Sequence, residues 1–174
     1  MNQITKELTL IGIVLAITLI AYFFIRRSGG TPKQNISRVL SGVLGAFMVL
    51  GGVAKFFDPF TTMFAQQINL SQLPFPQLSA IAGQTGEISA GLVLLAFFVV
   101  GSRKLTHPLA NVVFYLTNLL IVVIMLVAVY VHLHPDVPAT VLPFQSKPPI
   151  VTLIVMGLAI LNAWLYRCNE HSVI

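Results

Sequence analysis

The 174-residue chain is 56% hydrophobic and 9% charged, with a formal net charge of +5 and a mean hydropathy of +0.89. A soluble domain carries about 25% charged residues, so a water-exposed surface is excluded and lipid is the solvent that fits. The one cysteine, Cys168, excludes an internal disulfide framework, a CxxC redox pair and a cysteine metal cluster, and it reads as a small apolar residue.

Five apolar stretches are each long enough to cross roughly 30 Å of hydrocarbon at about 1.5 Å per residue. They run from Leu8 to Ile25, Val39 to Phe57, Leu78 to Gly101, Leu109 to Val131 and Ile150 to Tyr166. The expected fold is therefore all-α. The first stretch reads as a retained helix rather than a signal peptide, because no A-x-A-like site follows it and Arg26 and Arg27 come at once.

Basic residues at the span ends set the expected orientation. With the N-terminus outside, Arg26, Arg27, Lys33, Arg38, Arg103, Lys104 and Arg167 all fall on the cytoplasmic side. Lys6, Lys55 and Lys147 then fall outside, so the count is seven against three. The positive charge is accounted for by topology and calls for no nucleic-acid partner.

The two outer connections differ from the inner ones. Asp58 to Gln77, about twenty residues, carries Pro59, Pro74 and Pro76 with scattered phenylalanines and Met63. His134 to Pro149 carries five prolines: Pro135, Pro138, Pro143, Pro148 and Pro149. Proline fixes φ and removes donors, so both segments are expected to be stiff and largely non-helical. The apolar residues of the first predict that it lies on the membrane surface or folds over the bundle.

Glu87 is the most informative residue. It lies about nine residues into the third span, roughly 13 Å below the outer surface at 1.5 Å per residue. A carboxylate at that depth costs on the order of 2.5–3.5 kcal/mol on insertion scales, so it should face the bundle interior and have a partner or be protonated. It reads as a ligand-binding or proton-handling group, or as an interhelical hydrogen bond that fixes packing. Lys55 is the candidate partner, with snorkelling to the headgroups as the alternative. Ser41, Gly45, Met48, Gly52 and Lys55 share one helix face, and Ala80, Gly83, Gln84, Glu87 and Gly91 form a similar face on the third span. Small residues there permit close helix approach in lipid.

His132, His134 and Asp136 at the outer end of the fourth span make a weak metal motif with no evident fourth ligand. They read as interfacial residues that bond the loop backbone or line the mouth of a pocket. A membrane haem needs facing axial ligands, and His107 lies at the opposite end of that span. Asn118, Tyr115 and Asn162 read as interhelical hydrogen bonds, and Trp164 with Tyr166 as an interfacial belt.

The run Gly52-Val53-Ala54-Lys55-Phe56-Phe57-Asp58-Pro59 resembles the G-x-x-K-F-x-x-P signature of the DoxX-like family of small bacterial membrane proteins. Gly83 and Glu87 are similar to the glycine and acidic residue of that family's next helix, and His132 through Pro149 looks like the outer loop of some members. The resemblance spans Arg38 to Tyr166 and implies a four-helix transmembrane bundle core over residues 38–174, with residues 1–37 adding one N-terminal transmembrane helix and a cytoplasmic loop. Family members are associated with quinone-linked sulfur oxidation or oxidative-stress complexes, which implies an inner-membrane location.

The leading expectation is an accessory protein that binds a quinone- or lipid-like molecule in the outer leaflet, with no cofactor within the chain itself. Lys55, Gln84, Glu87, Tyr130 and His132 are the candidate ligand-binding residues. Partners would be membrane lipids, other membrane subunits or further copies of the chain, with redox chemistry supplied by a partner. Two alternatives stand beside it: a structural assembly subunit without a ligand site, and a membrane enzyme on an isoprenoid or sterol-like substrate using Glu87 as acid or base.

Overall fold

The computed structural model describes residues 12, 16, 18–23, 25, 26, 31–100, 108–145 and 147–170, with side chains except at 144 and 167–170. Among these residues there is no strand. The first expected span is described only in part: residues 12, 16, 18–23, 25 and 26 are helical, and the rest of Leu8 to Ile25 lies outside the described residues.

Five helices follow in order: α1 (Pro32–Ala54), α2 (Phe60–Leu70), α3 (Pro76–Val100), α4 (Pro108–Leu133) and α5 (Ile150–Glu170). Two single 3-10 turns, Ala139–Val141 and Pro143–Gln145, lie between α4 and α5. Of the five, α1, α3 and α4 are long and apolar enough to cross a membrane, and α5 carries a shorter apolar stretch over Ile150–Tyr166.

α1 starts at Pro32, ahead of its apolar run and ahead of the boundary expected at Arg38, because the polar sequence there is a start signal. Gln34 N donates to Thr31 Oγ1 at 3.3 Å, Thr31 N donates to Gln34 Oε1 at 3.1 Å, and Pro32 takes the first helical position. The connection Asp58 to Gln77 is not the non-helical segment expected of it. Its prolines sit at the edges, Pro59 as the N-cap of α2 and Pro74 and Pro76 beyond its end, so Phe60–Leu70 is a proline-free turn-and-a-half on each side of its centre and forms a helix.

The long helices pack as a ring in which α1 and α4 each contact both α3 and α5. The core runs down the ring axis through Leu44, Met48, Leu94, Ile121 and Ala159, and ends in an aromatic group where the Phe114 and Tyr166 rings stack at 4.0 Å. α1 and α3 approach most closely at glycines. A Cβ on Gly45 would lie 2.8 Å from Gly91 O, and one on Gly91 would lie 2.7 Å from Gly45 O. Arg38 ties the far end of this pair, donating from Nε to Phe98 O at 2.7 Å and from Nη2 to Val99 O at 3.1 Å, and so caps the last turn of α3.

The outer surface of the ring is apolar. Leu109, Leu116, Leu119 and Leu126 form a stripe along α4, each more than half exposed. In water such a stripe would be an aggregation hazard, whereas in lipid it costs nothing.

Candidate functional site

At the end of the ring that carries α2 and the 3-10 turns, α1 and α3 bring Lys55 and Glu87 together. Lys55 Nζ donates to Glu87 Oε2 at 2.6 Å, and the two side chains are 19% and 13% exposed. Lys55 is the C-cap residue of α1, and its face also carries Gly52. A Cβ on Gly52 would meet Ile88 Cγ1 at 2.6 Å and Glu87 Cβ at 3.3 Å, so the glycine is what lets the two helices close to ion-pair distance. The Lys55 ammonium also lies 4.3 Å from the centroid of the Phe64 ring, which brings α2 against the pair.

Beneath α2 and beside this pair lies a cavity of about 670 Å³. Its walls are mostly apolar and come from all four long helices and α2, with Phe47, Met48, Phe64, Ile124 and Met125 among them. Lys55, Glu87 and His132 border it, as do Gln67, Ser79 and Thr152. Phe47, Leu120, Val123 and Val127 also line it while being 37%, 39%, 49% and 43% exposed, so the cavity opens on the apolar flank of the ring.

The lid over the cavity is tied down by hydrogen bonds. Gln67 of α2 donates to Val141 O. Tyr130 OH donates to Ser71 O at 3.1 Å, and Gln72 Nε2 donates to Asp136 Oδ2 at 2.8 Å. Lys147 Nζ donates to His134 O at 2.8 Å and Val137 O at 2.7 Å, which closes the proline-rich loop around its ammonium group. Val131, Val137, Val141 and Leu142 make a small apolar cluster under that loop.

Of the five residues singled out from sequence, Lys55, Glu87 and His132 share the cavity wall, whereas Gln84 and Tyr130 do not border it. Gln84 Nε2 reaches Gly52 O at 3.3 Å, and Tyr130 holds the end of α2. His132 is 9% exposed, and its Nδ1 lies 2.8 Å from Ala128 O. A carbonyl only accepts, so Nδ1 carries the hydrogen in that bond.

His132, His134 and Asp136 do not converge: His134 Nδ1 accepts from Asp136 N at 3.3 Å, and Asp136 is held by Gln72. Among the described residues no group of three or more His, Cys, Asp and Glu side chains comes together. No family model matches the chain, and neither does any curated protein or solved structure.

Sequence reasoning missed Thr152, Gly83 and the role of Lys147. Thr152 is 9% exposed and lines the cavity from the first turn of α5. Threonines in apolar helices ordinarily bond their own backbone, so nothing in its sequence position marked it out. Gly83 looked like one more interface glycine, yet a Cβ built on it meets nothing within 4 Å, and it borders the cavity instead.

A second polar group sits well away from the cavity. Asn162 of α5 is fully buried; it accepts from Ser37 Oγ at 2.8 Å and donates to Ser41 Oγ at 3.1 Å and to Asn118 Oδ1 at 3.2 Å. These bonds join α1, α4 and α5 and satisfy one another, which marks the cluster as packing.

Proposed function

We propose that the chain is a polytopic membrane protein of DoxX-like type that holds a small quinone- or lipid-like molecule in the cavity beneath α2. It has five spans in this reading, with the N-terminus outside and the C-terminus in the cytoplasm of a bacterial cell, and it serves as an accessory subunit of a redox-linked membrane complex. The observation that carries the ligand reading is the cavity of about 670 Å³ with an ion pair on its wall. That volume lies within the roughly 300–1,000 Å³ of small-molecule sites, which are apolar with a few placed polar groups. Glu87 borders the cavity rather than being sealed between helices, which favours a ligand over a purely structural use of the carboxylate. The opening on the apolar flank supports loading from the hydrocarbon.

The test is native mass spectrometry of the gently solubilised wild type and of Gly83→Phe. Gly83 borders the cavity and a Cβ on it meets nothing within 4 Å, so a bulky side chain can be added there to compete for the cavity space. The wild type is expected to carry a small-molecule adduct that Gly83→Phe lacks, while both melt at similar temperatures. An adduct retained in full by Gly83→Phe places the ligand elsewhere and ends the reading.

A further inference from the structure

The six polar side chains that line the cavity differ in what they have left to offer. Lys55 Nζ is turned to Glu87 Oε2 at 2.6 Å and to the Phe64 ring. Gln67 Nε2 is given to Val141 O, and Ser79 Oγ donates to Pro74 O at 2.8 Å. His132 gives its Nδ1 hydrogen to Ala128 O at 2.8 Å. What remains has more acceptors than donors: Glu87 Oε1, Gln67 Oε1, a lone pair on Ser79 Oγ and His132 Nε2 in the neutral ring, against one N–H each on Lys55 and Gln67 and the Thr152 hydroxyl. Neither His132 Nε2 nor the Thr152 hydroxyl has a hydrogen-bond partner among the described residues, although both residues are only 9% exposed. Buried polar atoms are nearly always satisfied, so atoms of this kind on a cavity wall mark where a guest's polar atoms go. The charges on the wall, Lys55 and Glu87, cancel.

From this donor and acceptor balance we infer that the cavity selects an uncharged amphiphile whose head donates a hydrogen bond, an alcohol or a phenol (of a quinone couple, the reduced quinol), over the same molecule with an acceptor-only or anionic head. The inference rests on the reading of the cavity as an apolar-ligand site and adds the chemistry of the head. A hydroxyl gives its hydrogen to His132 Nε2 or Glu87 Oε1 and takes one from Thr152. An ether leaves those acceptors unpaired, and a carboxylate meets Glu87 with like charge.

Three probes of one chain length separate these cases: 1-hexadecanol, hexadecyl methyl ether and hexadecanoic acid, titrated against the full-length solubilised protein by native mass spectrometry. The alcohol is expected to bind at least about tenfold more tightly than the ether or the acid, the size of one hydrogen bond to a buried group. In His132→Phe, which keeps a ring and removes Nε2, the alcohol-to-ether ratio is expected to fall toward one while ether binding persists. Thr152→Val, nearly isosteric, removes a donor that either oxygen can use, so it is expected to weaken alcohol and ether alike and leave their ratio high; where His132→Phe does not fold, the wild-type ratio decides. Equal wild-type affinity for alcohol and ether overturns the inference and leaves the apolar-ligand reading standing. Binding of none of the three probes overturns both.

Discussion

Removing either partner of the Lys55–Glu87 pair strands the other at 13–19% exposure beside an apolar cavity. Breaking a buried pair in this way costs about 3–5 kcal/mol, whereas replacing both partners with apolar groups is often close to neutral. Lys55→Met is therefore expected to melt well below the wild type, and the double variant Lys55→Met with Glu87→Leu is expected to recover most of that loss. Thermal denaturation in detergent, followed through Trp164 fluorescence, reads this directly, and a Lys55→Met protein as stable as the wild type would mean that the pair carries no structural weight. The contrast is Asn162, whose bonds to Ser37, Ser41 and Asn118 lie away from the cavity. Interhelical hydrogen bonds of this sort average about 0.6 kcal/mol each in lipid, so Asn162→Leu should lower the melting temperature modestly and leave the bound adduct intact.

At the scale of helices, glycines that look alike in sequence divide into two kinds. On Gly91 a Cβ would meet Gly45 O at 2.7 Å and Val49 N at 2.8 Å, both backbone atoms that yield only if α1 and α3 separate. Gly91→Val is expected to spread this helix pair and to loosen the Lys55–Glu87 contact that spans it, with loss of folded protein on size-exclusion chromatography. Gly83→Ala and Gly157→Ala meet no atom within 4 Å and should be close to neutral. The same comparison shows what was legible beforehand. Apolar runs located α1, α3, α4 and α5, and the shared faces of Ser41 to Lys55 and Ala80 to Gly91 made a Lys55–Glu87 contact one of the two readings of Lys55. α2 was hidden because proline content argued against a helix, and only the placement of prolines at its edges made one possible. Gln84 was grouped with the site by its helix face and Tyr130 by its depth, but neither says whether a side chain spends its hydrogen bonds on a neighbouring backbone, as both do. The cavity itself is a property of how helices splay at one end, which periodicity does not encode.

For the whole molecule, the orientation and the site are linked through the lid. α2, the two 3-10 turns and the Lys147-centred loop all lie at one end, with the Lys55–Glu87 pair beneath them. Arg38 lies at the other end of the α1–α3 pair, on the carbonyls that close α3. In the proposed orientation, which follows the excess of basic residues flanking the opposite ends of the spans, the lid faces outside, and a ligand held under it would sit in the outer leaflet. This makes a topology measurement a test of where the ligand is held. In a Cys168→Ser background, Thr140→Cys lies in the exposed first 3-10 turn and Lys33→Cys in the exposed first turn of α1. In intact spheroplasts a membrane-impermeant maleimide is expected to label Thr140→Cys and to leave Lys33→Cys unlabelled until the membrane is opened. The reverse pattern would put the lid in the cytoplasm and move the cavity to the inner leaflet, and labelling of both in intact cells would mean that α1, α3 and α4 do not each cross the bilayer.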